Sequence, residues 1–214
     1  MGSGGSKSAS YNYKLTYFNA RGRGEVARLC FAVAGVKYED IRIEQADWPA
    51  LKPKTPLGFL PVLNINGNEL TQKLVIDRFL AGQFGLLGSS DLERCKIDEV
   101  MTTITDFTVD LSGTFFIQEE DAKATAVKNI LDTKLPAMMA YIEKTMNENK
   151  TQSGYVVGGK LSVADLTVFN CLETLTNVSP TALDEYTRIR DLNTKIGIIS
   201  SIAKYVASRP KTPI

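Results

Sequence analysis

The stretch that decides the fold is residues 13–44, YKLTYFNARGRGEVARLCFAVAGVKYEDIRIE. Its first run, Tyr13–Phe18, is rich in aromatic and β-forming residues and predicts a short strand. Apolar residues then recur every three or four positions over 26–33, which predicts a helix that ends at Gly35. Tyr38–Glu44 alternates apolar and polar residues and predicts a second strand. A strand–helix–strand unit of this kind predicts two parallel strands with a right-handed crossover.

The following forty residues continue the same domain. Gln45–Gly58 contains three prolines and predicts a loop, and Pro61–Ile65 predicts a strand. The Asn66-Gly67 pair is a strong hairpin signal, so Asn68–Thr71 is expected to return antiparallel. Leu74–Phe84 is again helical in its spacing. The predicted order is therefore strand–helix–strand and then strand–strand–helix. This order is typical of a thioredoxin-like domain.

Strand signals disappear in the second half of the chain. We therefore predict a thioredoxin-like domain over 11–85 and an all-helical domain over 91–214, a fold of the class α/β plus all-α. Ser162 and Asp165 form a predicted capping box at a helix start. Helical spacing marks four stretches of the second domain: Asp91–Phe116, Glu119–Asn147, Ser162–Asn177 and Asp184–Ala207.

Composition excludes several classes of function. The 214 residues carry 25 Lys and Arg against 24 Asp and Glu, so no charged field favours nucleic acid or an anionic membrane. The chain contains no histidine, which excludes serine–histidine catalysis and removes the commonest transition-metal ligand, so we expect no metal. No apolar run approaches the roughly 20 residues of a membrane span.

The cysteines and the N-terminus bear on location. Cys30, Cys95 and Cys171 fall in apolar helical patterns without a CxxC pair, and they are predicted to be buried free thiols of a reducing compartment. The Gly/Ser-rich residues 1–10 have no apolar core and are interpreted as a disordered linker or expression tag. Together these features predict a cytoplasmic protein.

Tyr17 is the first candidate for chemistry. It ends the first strand just before a glycine-bearing turn into a helix, where the helix dipole favours an anion. A thiol of ordinary pKa, about 8.5, is mostly protonated at neutral pH; lowering that value by two units stabilises the thiolate by roughly 2.7 kcal/mol. One charge-assisted hydrogen bond and a helix end can supply this energy. The alternative is that Tyr17 is one more strand aromatic.

Three further positions could bind a peptide-like ligand. Pro61 is a candidate cis-proline that would present the backbone of Leu60 as a strand edge does, although a plain strand-start proline is an equal alternative. Gln72 and Lys73 stand at a helix start, a place suited to a carboxylate or, alternatively, a solvated first turn. Trp48 is the only tryptophan. It is either a ligand contact or a residue packed in the core.

From Tyr13 onwards the sequence resembles the sigma-class glutathione transferases, a group that includes prostaglandin D synthases and S-crystallins. The stretches that carry the resemblance are YKLTYFNARGRGEVARLCFAVAGVKYED, RIEQADWPALKPKTPLGFLPVL, LVIDRFLAGQFGL, VVGGKLSVADL and SRPKTPI. The resemblance implies a thioredoxin-like glutathione-binding domain followed by a helical one. It also implies glutathione as the co-substrate.

The resemblance assigns roles to the first half of the site. Tyr17 matches the family's catalytic tyrosine, which is hydrogen-bonded to the glutathione sulfur. Arg23 matches the arginine that supports thiolate formation. Trp48 and Lys52 match residues that hold the glycyl end of glutathione.

The resemblance also assigns roles to the other residues of the site. Leu60, before the cis-proline Pro61, would pair its backbone with the cysteinyl moiety, and Gln72 would hold the γ-glutamyl end. Lys73 stands where the family usually has serine, so its ammonium could replace that contact or crowd the site. Asp106 matches an aspartate that reaches into the neighbouring subunit's site, which implies a homodimer.

The function implied is conjugation of the glutathione thiolate to small apolar electrophiles. One alternative is a structural, S-crystallin-type or apolar-ligand-carrying protein, which Lys73 favours and the retained site residues argue against; Phe59, where the family commonly has Gln or Lys, is a second departure from its pattern. Another is a glutathione-dependent prostaglandin D synthase, although no tryptophan accompanies Asp106 on its helix. Four residues are candidates for the electrophile pocket, each with core packing as an equal alternative: Phe18, Leu111, Phe115 and Ile214.

Overall fold

The strand–helix–strand unit at the N-terminus forms as the sequence predicts. The computed structural model describes residues 11–212, and it begins with β1 (Tyr13–Phe18), α1 (Glu25–Ala34) and β2 (Glu39–Ile43). β1 and β2 run parallel. Gly35 ends α1 with a φ of 64°, a left-handed conformation that glycine adopts without steric cost.

The second half of the sheet is an antiparallel hairpin. β3 (Val62–Ile65) pairs with both β1 and β4 (Asn68–Thr71), giving the strand order β2-β1-β3-β4. α3 (Lys73–Gln83) follows at once. The predicted loop over 45–58 holds a short helix, α2 (Trp48–Leu51), because Pro49 at its second position has a φ suited to a first helical turn.

The second half of the described chain is helical. All four stretches predicted to be helical are so, but two of them are split into pairs. The helices are α4 (Asp91–Gly113), α5 (Glu120–Thr133), α6 (Leu135–Glu148), α7 (Val163–Val178), α8 (Thr187–Gly197) and α9 (Ser200–Ser208).

The two splits have local causes. Pro136 lies in the first turn of α6; having no N–H to donate, it favours a helix start over a helix interior. α8 ends at Gly197, a residue of low helix propensity, and two residues separate it from α9. Periodicity alone does not reveal such breaks because both helices of each pair keep the same apolar spacing.

α7 is the buried centre of the helical part, packed against α1 and α4. Its capping box is present, with Asp165 Oδ2 accepting from the Ser162 N–H at 2.8 Å and Oδ1 accepting from the Val156 N–H at 2.8 Å. Burial raises the pKa of Asp165 to about 6, although these hydrogen bonds act in the opposite direction. The cap therefore fixes the start of the helix that supplies one side of the site described below.

The cysteine prediction is right for two residues and wrong for the third. Cys30 and Cys171 are buried free thiols, whereas Cys95 is exposed. Cys95 lies three residues after the exposed Leu92, so both point outward from α4, whose inner face is formed by residues such as Ile97. Over residues 11–212, the helices are all too short or too polar to cross a membrane.

Candidate active site

Tyr17 stands near the end of β1, where the chain turns towards α1, and its side chain is buried. The phenol oxygen accepts a hydrogen bond from the backbone N–H of Arg23 at 2.9 Å. A methyl group added to Gly24 would lie 2.8 Å from ring carbon Cγ, and one added to Gly22 would lie 2.7 Å from the phenol oxygen. The two glycines thus allow the turn to close around the ring.

The Tyr17 hydroxyl keeps its proton at neutral pH. Burial raises its pKa above the ordinary value of 10, and the hydrogen bond from Arg23 and the charges of Arg23 and Arg28 only partly offset that rise. The oxygen already accepts from Arg23, so its own proton is available to an acceptor in front of it. Chemically, Tyr17 is a neutral hydrogen-bond donor.

In front of Tyr17 lies a cleft of about 380 Å³ between the sheet half and the helical half. We call its first side the β1 wall, after the strand that carries Tyr17. The α4–α7 wall faces it. The β1 wall comprises Tyr17, Phe18, Ala20, Gly22, Arg23, Gln45, Trp48, Lys52, Gly58, Phe59, Leu60 and Lys73, and the α4–α7 wall comprises Thr105, Thr108, Val109, Ser112, Phe116, Thr167 and Asn170.

Most of the predicted site residues meet in this cleft. Pro61 is next to the lining and follows Leu60 through a cis peptide bond, as predicted. Gln72 lies just before α3 with a φ of 71°, and Asp106 is exposed on α4; neither lines the cleft. The residues that do line it are Tyr17, Arg23, Trp48, Lys52, Leu60 and Lys73.

Leu60 has a backbone position suited to a peptide ligand. The ladder that β3 forms with β1 and β4 starts at Val62, so Leu60 is paired with neither strand. Its side chain is buried, whereas the neighbouring Phe59 is 60% exposed at the cleft. The main chain of Leu60 is therefore placed to hydrogen-bond an extended ligand.

Lys73 is held by a carboxylate of its own helix. Its Nζ lies 2.8 Å from Oδ2 of Asp77, whose side chain is only 1% exposed. Burial raises the pKa of Asp77 and the Lys73 ammonium lowers it, while the other carboxylate oxygen has no hydrogen-bond partner within residues 11–212. The charge of Lys73 is thus balanced within α3, and its amino group is drawn towards Asp77.

Of the three predicted electrophile-pocket residues that the structure describes, one lies in the cleft. Phe18 does; Leu111 is fully buried, and Phe115 lines a different groove beside α5. Phe116, next in the chain, occupies the cleft instead. Ile214 lies outside the described residues. The polar members of the α4–α7 wall were missed because their helix faces carry no local signal.

A buried charge network behind Tyr17 was also missed. Arg28 is fully buried, donates to the carbonyl oxygen of Ala20 at 2.6 Å and to Asp40 Oδ1 at 3.0 Å, and lies 5.8 Å from the centre of the Tyr17 ring. The signal available in the sequence was an arginine, with Glu25, on an otherwise apolar helix face. Arg28 thus fastens the segment that follows Tyr17.

The network continues to the C-terminal helix. Glu25, fully buried, accepts hydrogen bonds from Arg209 at 2.7 Å and from the Tyr205 hydroxyl at 3.1 Å. Arg209 also donates to Glu173 of α7 at 2.8 Å. The end of α9 is therefore connected through Glu25 and Arg28 to the backbone around Tyr17.

Comparison with known proteins agrees with this architecture. The model of the glutathione S-transferase N-terminal domain matches residues 13–82, and that of the C-terminal domain matches residues 105–209. The fold and the cleft thus define a two-domain glutathione-dependent enzyme. The chain belongs to the glutathione S-transferase family and is a glutathione transferase.

Related proteins align with nearly the whole chain. Glutathione S-transferase 1 of Ascaris suum is 38% identical over 208 residues, covering 94% of this chain and 98% of that protein. Hematopoietic prostaglandin D synthase of Gallus gallus is 37% identical, covering 95% and 99%. The structure of Na-GST-3, described as a monomeric glutathione S-transferase of the hookworm Necator americanus, superposes with a TM-score of 0.85 at 31% identity, covering 95% of this chain and 100% of that one.

Proposed function

We propose that Tyr17 activates glutathione by donating a hydrogen bond from its phenol O–H to the cysteinyl sulfur, so that the bound thiol releases its proton to water and is a thiolate at neutral pH. Arg23 supports the thiolate through the hydrogen bond that its backbone gives to Tyr17 and through its positive charge. The thiolate sulfur then attacks the electrophilic carbon of a second substrate. With an aryl halide, a carbon–sulfur bond forms and the halide leaves with the electron pair.

The rest of the β1 wall fits the glutathione backbone. We assign Trp48 and Lys52 to the glycyl carboxylate, since both residues line the cleft and an ammonium group pairs well with a carboxylate. The unpaired main chain of Leu60, beside Pro61, would hydrogen-bond the cysteinyl unit.

The γ-glutamyl end belongs at the start of α3. Gln72 and Lys73 precede the first free N–H groups of that helix, where a carboxylate is stabilised by the helix dipole. Lys73 lines the cleft with its charge balanced by Asp77, which favours a supporting contact over a strong ion pair with the ligand.

One observation carries the assignment: the Tyr17 oxygen accepts from Arg23 while its proton remains free to donate. Its test is the rate of glutathione conjugation to chlorodinitrobenzene by the protein and by Tyr17→Phe. We expect the variant to lose about a hundredfold in kcat, the scale of one removed oxyanion donor. Tyr11→Phe, an exposed tyrosine outside the cleft, is the control and should keep full activity. Equal rates for Tyr17→Phe and the unmutated protein would contradict the assignment.

We further propose that the protein is a homodimer with Asp106 reaching into the partner's site. Asp106 is exposed and does not line the cleft of its own chain, while Val75 and Phe59 are exposed apolar side chains on the sheet half. Na-GST-3 is described as monomeric, so relatives differ in this respect. Sedimentation velocity at micromolar concentration should give twice the 23.5 kDa chain mass; a single 23.5 kDa species would contradict a dimer.

Prostaglandin D synthase activity is a second candidate, favoured by the 37% identity to the Gallus gallus enzyme of that name. The α4–α7 wall holds Phe116 and no tryptophan, which favours general conjugation. Conversion of prostaglandin H2 to D2 no faster than in buffer would exclude the isomerase. The domain boundaries near residues 85–91, the cytoplasmic location and a role in detoxification stay predictions.

A further inference from the structure

The α4–α7 wall differs from an ordinary apolar pocket in the groups it presents. Five of its seven residues carry a hydroxyl or an amide, and only Val109 and Phe116 are apolar. Buried polar groups are normally satisfied by the protein itself. Which of them have partners therefore indicates what a ligand must supply. The five are Thr105, Thr108, Ser112, Thr167 and Asn170.

The three threonine hydroxyls have already used their protons. Each donates to the carbonyl oxygen four residues earlier in its own helix, at 2.6 Å for Thr105, 2.7 Å for Thr108 and 2.8 Å for Thr167. What these hydroxyls can still offer a ligand is oxygen lone pairs. On this account the wall accepts hydrogen bonds more readily than it donates them.

Asn170 is the residue that most requires a partner. It is 4% exposed, it lines the cleft, and its Oδ1 is buried without a hydrogen-bond partner among the described residues. A buried amide oxygen left unpaired is costly, because it loses the hydrogen bonds it made to water in the unfolded chain. A donor brought by the ligand would remove that cost.

We propose that the second substrate is an electrophile carrying a hydroxyl group, which donates to Oδ1 of Asn170 while the apolar remainder lies against Phe18, Val109 and Phe116. This inference rests on the proposed function, since it places the electrophile opposite Tyr17. With an α,β-unsaturated ketone as substrate, the thiolate sulfur bonds to the β-carbon. The π electrons move to the carbonyl oxygen as an enolate, and a proton from water at the α-carbon completes the thioether.

The test uses a matched pair of enones that differ only in a hydroxyl or a methoxy group on the carbon chain. The ether has no proton to donate, so we expect kcat/KM about tenfold higher for the alcohol. Asn170→Leu, nearly equal in size and without hydrogen-bonding groups, should bring the two values together and leave KM for glutathione unchanged. Equal kcat/KM for the pair in the unmutated protein would overturn the proposal, since a water molecule would then satisfy Asn170.

Two controls separate this result from other causes. Asn193 on α8 also has a buried Oδ1 without a partner in the described part of the chain but does not line the cleft, so Asn193→Leu should keep the preference for the alcohol. If Asn170→Leu fails to fold, the saturated alcohol and its ether, titrated against the glutathione-loaded protein, give the same comparison as a ratio of dissociation constants. A ratio near one would overturn the proposal. Chlorodinitrobenzene conjugation, which involves no hydroxyl, reports on the Tyr17 mechanism separately.

Discussion

The two walls of the cleft are built in opposite ways. The β1 wall comes from one continuous part of the chain, between Tyr17 and Lys73, and buried charges fasten it from behind. The α4–α7 wall comes from two helices far apart in sequence and offers uncharged hydroxyl, amide and apolar groups. Under the proposed function the β1 wall binds the thiol that every reaction shares, and the α4–α7 wall binds the electrophile that varies.

We expect the largest loss of stability when the buried charge of Arg28, behind the β1 wall, is removed. Arg28→Met removes the fully buried cation that pairs with Glu25 and Asp40, which keep Arg209 and Arg42 as cationic partners, so we expect a loss of about 3 kcal/mol in the free energy of unfolding. Urea denaturation measures it. The control is Arg78→Met, which removes an exposed pair with Asp98 and should cost less than about 1 kcal/mol. Equal losses in the two variants would show that the network does not fasten the wall.

The next effect concerns Lys73 at the edge of the same wall. Lys73→Met leaves the buried Asp77 unpaired, and we expect a loss of about 2 kcal/mol at pH 7. The folded-state pKa of Asp77 is already raised by burial, and removal of the ammonium raises it further. Stability from such a group is present below its unfolded pKa and is lost as the pH rises through the folded value.

The variant should therefore differ least from the unmutated protein near pH 4 and most near pH 7. Thermal denaturation across this range measures the difference. The double variant Lys73→Met with Asp77→Leu is the matched control, and it should recover most of the lost stability because no buried charge remains. A loss that does not depend on pH would contradict the burial of an unpaired carboxylate.

A smaller effect tests the fit of the turn around Tyr17. In Gly24→Ala the new methyl group would meet the Tyr17 ring at 2.8 Å, so the ring must move from its place beside the cleft. We expect kcat to fall about tenfold for every electrophile, because a displaced donor costs rate whatever the second substrate is. Gly113→Ala, a helical position with open space around it, is the control and should keep full activity. If the rate fell with only one electrophile, Gly24 would instead affect which electrophile the cleft selects.

The comparison between the walls also explains what the sequence could predict. The β1 wall follows from local features: a strand ending at Tyr17, two glycines, a proline before β3 and a helix start at Lys73. Each has a physical meaning within a few residues, so both the fold and this wall could be predicted.

The other wall could not be predicted in the same way. Thr105 and Asn170 lie together in one wall of the cleft only because α4 packs against α7, and no spacing rule reports that packing. Phe115 was predicted to line the cleft, but its neighbour Phe116 does so. Consecutive side chains after α4 point in different directions, and the sequence does not show which of them faces the cleft. Local spacing likewise did not predict the exposure of Cys95 or the helix breaks at Lys134 and Ile198.

The central claim is that the Tyr17 proton stabilises the glutathione thiolate. Its most direct test is the pKa of the bound thiol, followed by the ultraviolet absorbance of the thiolate during a pH titration of the glutathione complex. Removing the donor destabilises the charged form, so the pKa should rise in Tyr17→Phe. We predict a value about two units below the free thiol's roughly 8.5 in the unmutated protein, and a return towards 8.5 in Tyr17→Phe. The same pKa in both proteins would contradict the account.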